Sequence, residues 1–354
     1  MTNKKICYLL FNNLPSSIVR ARTFNDEYLK YEYTPIFYKF YSKRLYRIYS
    51  LIISYKFLSK LFINLQSLFI LIKINIFLKK CNSYDALIII KYIKPKLLEK
   101  IKLKYKGKIL YDFDDAVWLE NIMGLDVFKK IINNVDYVSC DNNFLLEKAK
   151  KYNINSFILN GPAQVEKFIS KNENNKSSII LCWIGSPDTL FYLYVIYDAL
   201  EFIGDKYPNV ILKLLGTGHD KKRIPNFEKI KTIYLSEYDE NIMIKELSNS
   251  DIGLFPMFNN DLSKGRGLLK TTIYMSAGLP SITSGILDFS NVIIESQNGF
   301  IANTTSEWIQ KLELLIINDS LRSNIGKNAK EFIYNNYSKS FCFNQLKDNF
   351  LIRI

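Results

Sequence analysis

The chain of 354 residues contains one histidine, His219. With no cysteine or second histidine beside it, His219 makes no metal site, and its surroundings place it on a surface loop. Cysteine is also sparse: Cys7, Cys81, Cys140, Cys182 and Cys342 are scattered, with no C-x-x-C pair. That spacing excludes a zinc knuckle and a disulfide framework, and fits buried thiols in a reducing cytoplasm. No apolar run reaches the length of a membrane span; the best uncharged stretch, Leu61 to Ile72, has twelve residues. Ile6 to Phe11, behind Lys4 and Lys5, is too short for a secretory core and reads as a strand. The sequence Gly216-Thr217-Gly218 lacks the third glycine and the following helix of a dinucleotide fingerprint.

Acidic residues are missing from one region. Residues 39–108 hold 17 Lys and Arg against Asp85 and Glu99. Residues 1–165 hold 27 basic and 13 acidic residues, and the remainder holds 21 of each. The whole net charge of +14 therefore sits in the first half. Such a half faces something anionic: a membrane surface, a phospholipid-like substrate or nucleic acid. No nucleic-acid motif accompanies it. From Tyr41 to Lys80, Leu, Ile, Phe and Tyr alternate with Arg44, Arg47, Lys56, Lys60, Lys73, Lys79 and Lys80 at helical spacing. One or two basic amphipathic helices of this kind suit an anionic headgroup layer. The alternative is a helix pair packed on a sheet, with its lysines reaching water.

The length suggests two domains, and 48% hydrophobic residues supply two cores. Apolar strand-like runs alternate with helical patterns along the chain, which predicts α/β units with parallel sheets. In the first half, strands are expected at Ile6 to Phe11, Thr34 to Tyr41, Asp85 to Ile90, Lys108 to Tyr111, Asp136 to Cys140 and Asn153 to Leu159. Ser17 is expected to cap a helix from Ile18 to about Lys30. The polar run Ser170 to Ser178 reads as the linker. Strands then recur at Ile179 to Ile184, Val210 to Leu215, Thr232 to Leu235, Asp251 to Phe255 and Pro280 to Thr283. A helix from Asp188 to about Gly204 lies between the first two of these. The expected domains are 1–165, 176–337, and a helical tail 338–354 packing back on the first half.

Three places carry candidate chemistry. KGRGLLKTTIYMSAG, Lys264 to Gly278, joins a cationic glycine-punctuated loop to a short helix. A helix start attracts phosphate, and Lys264, Arg266 and Lys270 add full charges there. Asp112, Asp114 and Asp115 cluster just past a strand, where open α/β sheets collect ligands. They could orient a hydroxyl, take a proton or hold a cation; capping and turn formation are the plainer alternatives. Arg20 and Arg22 sit early in a helix, where the dipole gives a cation nothing, so an anionic ligand or plain solvation accounts for them.

The second half resembles group-one, or family-four, glycosyltransferases of the GT-B fold. LLKTTIYMSAGLPSITS is similar to that family's K-x-x-E-x-M-A-x-G-x-P-V-V segment, and ESQNGFIANTTSEW to its N-G-x-L segment. LRSNIGKNAKEFIYNNYS resembles the closing helix, WIGSP the glycine-ended first strand, and YDFDDAVW a first-domain motif of one branch. The resemblance implies two Rossmann-like domains with parallel sheets facing across a cleft. A UDP- or GDP-sugar would bind the second domain and an acceptor the first, with no metal or other cofactor and with retention of configuration.

Donor contacts are expected from Gly185, Ser186, Lys264, Arg266, Gly267, Leu268, Lys270 and Thr271. Arg20 and Arg22 are expected at the acceptor, and Asp112, Asp114 or Asp115 in catalysis. Two family glutamates would fall at Gly265 and Ile273, which are not acidic; the family's N-domain histidine is missing, as are the Arg and Lys after the first strand of the second domain. The expected function is a cytoplasmic, peripheral inner-membrane glycosyltransferase in cell-surface polysaccharide synthesis, acting on a lipid-linked or nascent saccharide without nucleic acid. The alternative is an inactive GT-B protein that binds nucleotide-sugar or serves as a scaffold.

Overall fold

The computed structural model describes residues 3–11, 15–40, 56–119, 123–168, 178–220, 223–237, 239–286 and 292–354. Residues 170–177 of the expected linker Ser170 to Ser178, the loop at 12–14 and the basic segment 41–55 lie outside the described residues. The chain forms two compact units, Met1–Asn160 with Cys342–Ile354, and Gly161–Phe341.

The first unit runs β1 (Lys4–Leu10), α1 (Pro15–Arg22), α2 (Asn25–Lys30), β2 (Tyr33–Lys39), α3 (Lys56–Lys80) and β3 (Ala86–Ile90). It continues with α4 (Pro95–Lys104), β4 (Lys108–Phe113), α5 (Gly124–Ile132), β5 (Tyr137–Cys140), α6 (Asn143–Lys150) and β6 (Ser156–Ile158). The six strands are parallel, in the order β2-β1-β3-β4-β5-β6. β3 is buried throughout, and its β-branched sequence ALIII suits a central strand covered on both faces. Cys7, Leu87, Ile89, Tyr111 and Val138 pack with α3 to α6. Ile6, Tyr8, Ile88 and Leu110 pack with α1, α2 and the chain's tail.

Two expectations change here. The helix expected from Ile18 to Lys30 is two helices separated by a turn at Thr23 and Phe24. Ser17 lies inside α1 rather than at its cap, fully buried, with its hydroxyl unpartnered among the described residues.

The second unit runs β7 (Ile179–Ile184), a 3-10 helix (Pro187–Ile196), α7 (Tyr197–Lys206), β8 (Val210–Leu215), β9 (Lys231–Leu235), α8 (Glu240–Ser248) and β10 (Ile252–Phe255). Then come α9 (Asp261–Lys264), α10 (Leu269–Ser276), β11 (Ser281–Thr283), β12 (Gly299–Ile301), α11 (Thr305–Ile317) and α12 (Asp319–Asn336). Side chains of Asp239, Asn260, Thr304 and Asn318 cap α8, α9, α11 and α12, each accepting from a backbone N–H of the first turn. The single helix expected between β7 and β8 is a 3-10 segment followed by α7. The parallel order is β12-β11-β10-β7-β8-β9.

The last helix, α13 (Lys339–Asn349), buries Cys342, Phe343 and Leu346 in the first unit's core. Asn160 and Gln345 exchange hydrogen bonds of 2.9 and 3.0 Å there. All five cysteines are free and buried, and His219 is exposed on a loop. The sheets, their flanking helices and their strand orders make this a GT-B fold.

Candidate functional site

In each sheet the direction of winding reverses once, between β1 and β3 in the first and between β7 and β10 in the second. Crevices form outside the carboxyl ends of strands at such reversals. The candidate chemistry collects at both.

In the second unit, β7 and β10 pair only at Leu181–Ile252 and Cys182–Gly253 before they part. The Tyr274 hydroxyl fills the opening. It accepts from the Ile184 N–H at 2.8 Å and donates to the Leu254 carbonyl at 3.1 Å. The Tyr274 ring lies against Gly253, where a Cβ would come within 2.5 Å of it. Tyr274 therefore ties α10 to both strands, one helical turn beyond Lys270.

The Lys270 ammonium stands 5.1 Å from the Trp183 ring centroid, 5.3 Å from that of Phe255, and 3.5 Å from the Thr189 hydroxyl. β7, β10 and the start of the 3-10 helix thus converge on one cation, which the faces of the rings attract. Gly185 leaves room for the Trp183 ring, which a Cβ would strike. Ser186 and Thr189 form a capping box, with the Ser186 N–H donating to the Thr189 hydroxyl at 3.0 Å. Gly218, at φ 70°, lets the loop after β8 rest on Pro187, 2.6 Å from where its Cβ would be.

α10 starts directly after Leu268, whose side chain makes no cap. Thr271, in that first turn, is fully buried, and its hydroxyl has no hydrogen-bond partner among the described residues. Lys264 ends the short α9, half-buried, and Arg266 follows, half-buried. Gly265 has φ −84°, open to any residue, so the loop needs no glycine conformation there. Gly267 is half-buried and Leu268 buried. Ile273 points an apolar side chain into the same cluster as Phe255 and Tyr274.

In the first unit the structure divides the aspartates. Asp112 lies within β4, not past it, and is buried. It accepts from Arg20 at 2.5 and 2.9 Å and from the Ser139 hydroxyl at 2.5 Å. Arg20 also reaches Asp141 at 3.3 Å and the Leu159 carbonyl at 2.6 Å. Arg20, expected at the acceptor, and Asp112, expected in catalysis, are directed instead to each other inside the unit. Burial opposes charge on Arg20, but Asp112 and Asp141 outweigh it and hold its pKa above the usual value. Arg22, two residues on, faces another way on α1, its guanidinium 5.6 Å from the Phe37 ring centroid.

Asp114 and Asp115 remain at the carboxyl end of β4, beside the reversal. Between them sits Lys91, the residue after β3, at 2.5 Å from Asp114 and 2.6 Å from Asp115. Lys91 is buried and left-handed, at φ 57°. Its N–H donates to the Asp112 carbonyl at 2.8 Å, and its carbonyl accepts from the Tyr111 hydroxyl at 2.5 Å. Burial pushes Asp114 up to about 6, against the pull of Lys91 and with the help of Asp115.

Lys91, Trp183, Phe255 and Tyr274 were not among the residues singled out from sequence. Only Lys91 carried a signal, as a cation directly after an all-apolar strand. The candidates fall into two groups: Gly185, Ser186, Lys270 and Thr271 around the second reversal, with Lys264, Arg266, Gly267 and Leu268 on the approach to α10; and Asp114 and Asp115 at the first.

No family model matches the chain. An uncharacterised glycosyltransferase of Methanocaldococcus jannaschii is 26% identical over 258 residues, 68% of this chain and 62% of that protein. The chain thus spans about three fifths of that relative. Among solved structures, a glycosyltransferase from Rickettsia africae superposes with a TM-score of 0.71 at 14% identity, over 100% of this chain and 99% of that one. HepE of Anabaena, solved with UDP-glucose, gives 0.64 at 10% identity, over 99% and 100%. The lipopolysaccharide outer core galactosyltransferase WaaB gives 0.64 at 14% identity, over 99% and 100%.

Proposed function

We propose that this chain, a GT-B protein related to glycosyltransferases, moves a sugar from a UDP- or GDP-linked donor to a lipid-linked or nascent saccharide acceptor in cell-surface polysaccharide synthesis. One observation carries the reading: at the second reversal Lys270, a helix start without a side-chain cap and the buried Thr271 hydroxyl stand together. This is a seat for a diphosphate. Backbone N–H groups and the ammonium neutralise the charge that grows on the leaving nucleotide as the glycosidic bond breaks. Lys264 and Arg266 supply further cations near the same helix start. Gly185 and Ser186 bring backbone close to the donor.

In the first unit, Asp114 or Asp115 orients the acceptor hydroxyl and takes its proton. Asp112 and Arg20 hold the shape of that end of the sheet, and Arg22 is the arginine left for an acceptor. HepE's complex with UDP-glucose supports a nucleotide-sugar donor, and likeness to WaaB, a lipopolysaccharide outer core galactosyltransferase, supports a cell-surface product. Retention of configuration without a metal follows the resemblance to family-four enzymes. Among the described residues no helix is long and apolar enough to cross a membrane. The one-sided positive charge supports a peripheral place on the inner face of the cell membrane.

A panel of UDP- and GDP-sugars, offered with membrane-derived acceptors, tests the proposal by nucleotide release and product formation. One donor should give both. Binding of a nucleotide-sugar with no turnover would favour the inactive reading, which Ile273 and Gly265 motivate by standing where glutamates are expected.

A further inference from the structure

α3 carries two apolar stripes, and among the described residues only one of them is packed. Ile70, Ile74, Phe77 and Leu78 turn inward, with Phe77 fully buried against Tyr38, Phe40 and Tyr84. The Lys73 carbonyl accepts from the Tyr38 hydroxyl at 2.8 Å, and the Lys73 ammonium donates to the Lys39 carbonyl at 2.8 Å. These contacts fix the rotation of the helix. The outward stripe is Leu65, Leu68, Phe69, Ile72 and Ile76, a helical series of i, i+3, i+4, i+7 and i+11. These side chains are 57, 55, 38, 50 and 44% exposed.

A scattered surface leucine needs no explanation, but a continuous stripe over three turns does. The charge along this segment of the chain is of one sign. Lys79 and Lys80 stand exposed at the end of the helix, and no acidic residue occurs between Glu32 and Asp85. Two copies joined through this stripe would bring lysines together with no carboxylate to separate them. An anionic bilayer satisfies both features, because acyl chains take the stripe and headgroups take the ammonium groups.

We infer that the outward stripe of α3 lies in the headgroup boundary of an anionic membrane, with the helix parallel to the surface. This names the surface behind the membrane placement proposed above, and it holds whether or not the chain transfers sugar.

Full-length protein is sedimented with phosphatidylcholine vesicles, with and without phosphatidylglycerol. It should pellet with the mixed vesicles and far less with pure phosphatidylcholine. Leu68→Glu with Ile72→Glu should lower the partition at least about tenfold, at both low and high salt. Lys79→Glu with Lys80→Glu should lower it about tenfold at low salt, and the difference should shrink at high salt. Thermal unfolding of both variants near that of the parent keeps the comparison valid, since the changed side chains are exposed. Absence of vesicle binding by the parent, or unchanged binding by the stripe variant, overturns the inference. So does a dimer in solution that the stripe variant dissolves, which would assign the stripe to a second copy. Nucleotide-sugar turnover with a water-soluble acceptor should be the same in parent and variants, which separates this result from the transferase reading.

Discussion

Lys91 holds its ammonium 2.5 Å from a carboxylate oxygen of Asp114, and it does so from a left-handed backbone. A non-glycine residue in that conformation costs about 1–2 kcal/mol. The two hydrogen bonds from β4 to its peptide groups keep it there. One buried cation thus answers two carboxylates at the carboxyl end of the sheet.

The charge balance gives a pH dependence. Asp114 is raised above its unfolded value of 3.8, to about 6. Between those values the folded protein holds the proton that the unfolded chain has lost. By linkage, stability falls as pH rises through that window, by at most about 3 kcal/mol. Asp114→Asn should flatten this fall in denaturant titrations run from pH 4 to pH 7. In the parent, a group titrating near 6 should also appear in the acid limb of the pH–rate profile if Asp114 must be ionised to work. A variant that keeps the parent's pH dependence would leave Asp114 outside the titration.

Lys270→Ala should weaken nucleotide-sugar binding by about 1.5–3 kcal/mol, the worth of a charge-assisted contact to phosphate. Titration calorimetry reads this as a loss of roughly tenfold to a hundredfold in affinity. Unaltered affinity would remove Lys270 from the donor seat.

Thr271→Val separates binding from folding. The hydroxyl has no partner among the described residues, so an isosteric methyl should leave unfolding free energy within about 1 kcal/mol or raise it. Donor affinity should fall, because the group that the ligand satisfies has gone. A loss of stability with unchanged affinity would mean that the hydroxyl serves the core.

Arg20→Ala should cost about 3–5 kcal/mol in chemical unfolding, since it strands the buried Asp112 carboxylate. Arg20→Lys should recover only part of it, because a lysine cannot span both oxygens of Asp112 and reach Leu159. Equal loss in both would point to the fork geometry, and no loss in either would show the pair to be dispensable.

The sequence made the strands legible wherever both faces are covered. Ile179–Ile184 is a continuous apolar run, Val210–Leu215 is broken only by Lys213, and helix Pro95–Lys104 begins on a proline suited to its first turn. The roles of the aspartates were not legible, because β4 extends to Phe113 and takes Asp112 with it. The residue that claims Asp112 is Arg20, far away in sequence and brought near only by the fold. Lys91 stood out as a cation after an all-apolar strand, but its pairing with Asp114 and Asp115 comes only from the fold. Tyr274 fitted an apolar helical face, and nothing local tells that its hydroxyl spans a gap between strands. Helical spacing in α3 described both of its stripes, but only packing decides which is covered.

That phenolic bridge between Ile184 and Leu254 restrains what can change around α10. With α10 bolted to two central strands, the phosphate seat proposed above has little freedom to drift. On that proposal, selection among sugars falls to the loops around the fixed seat. Swapping those loops is the economical route to a new sugar preference, and replacing Tyr274 is the change that would blur every preference at once.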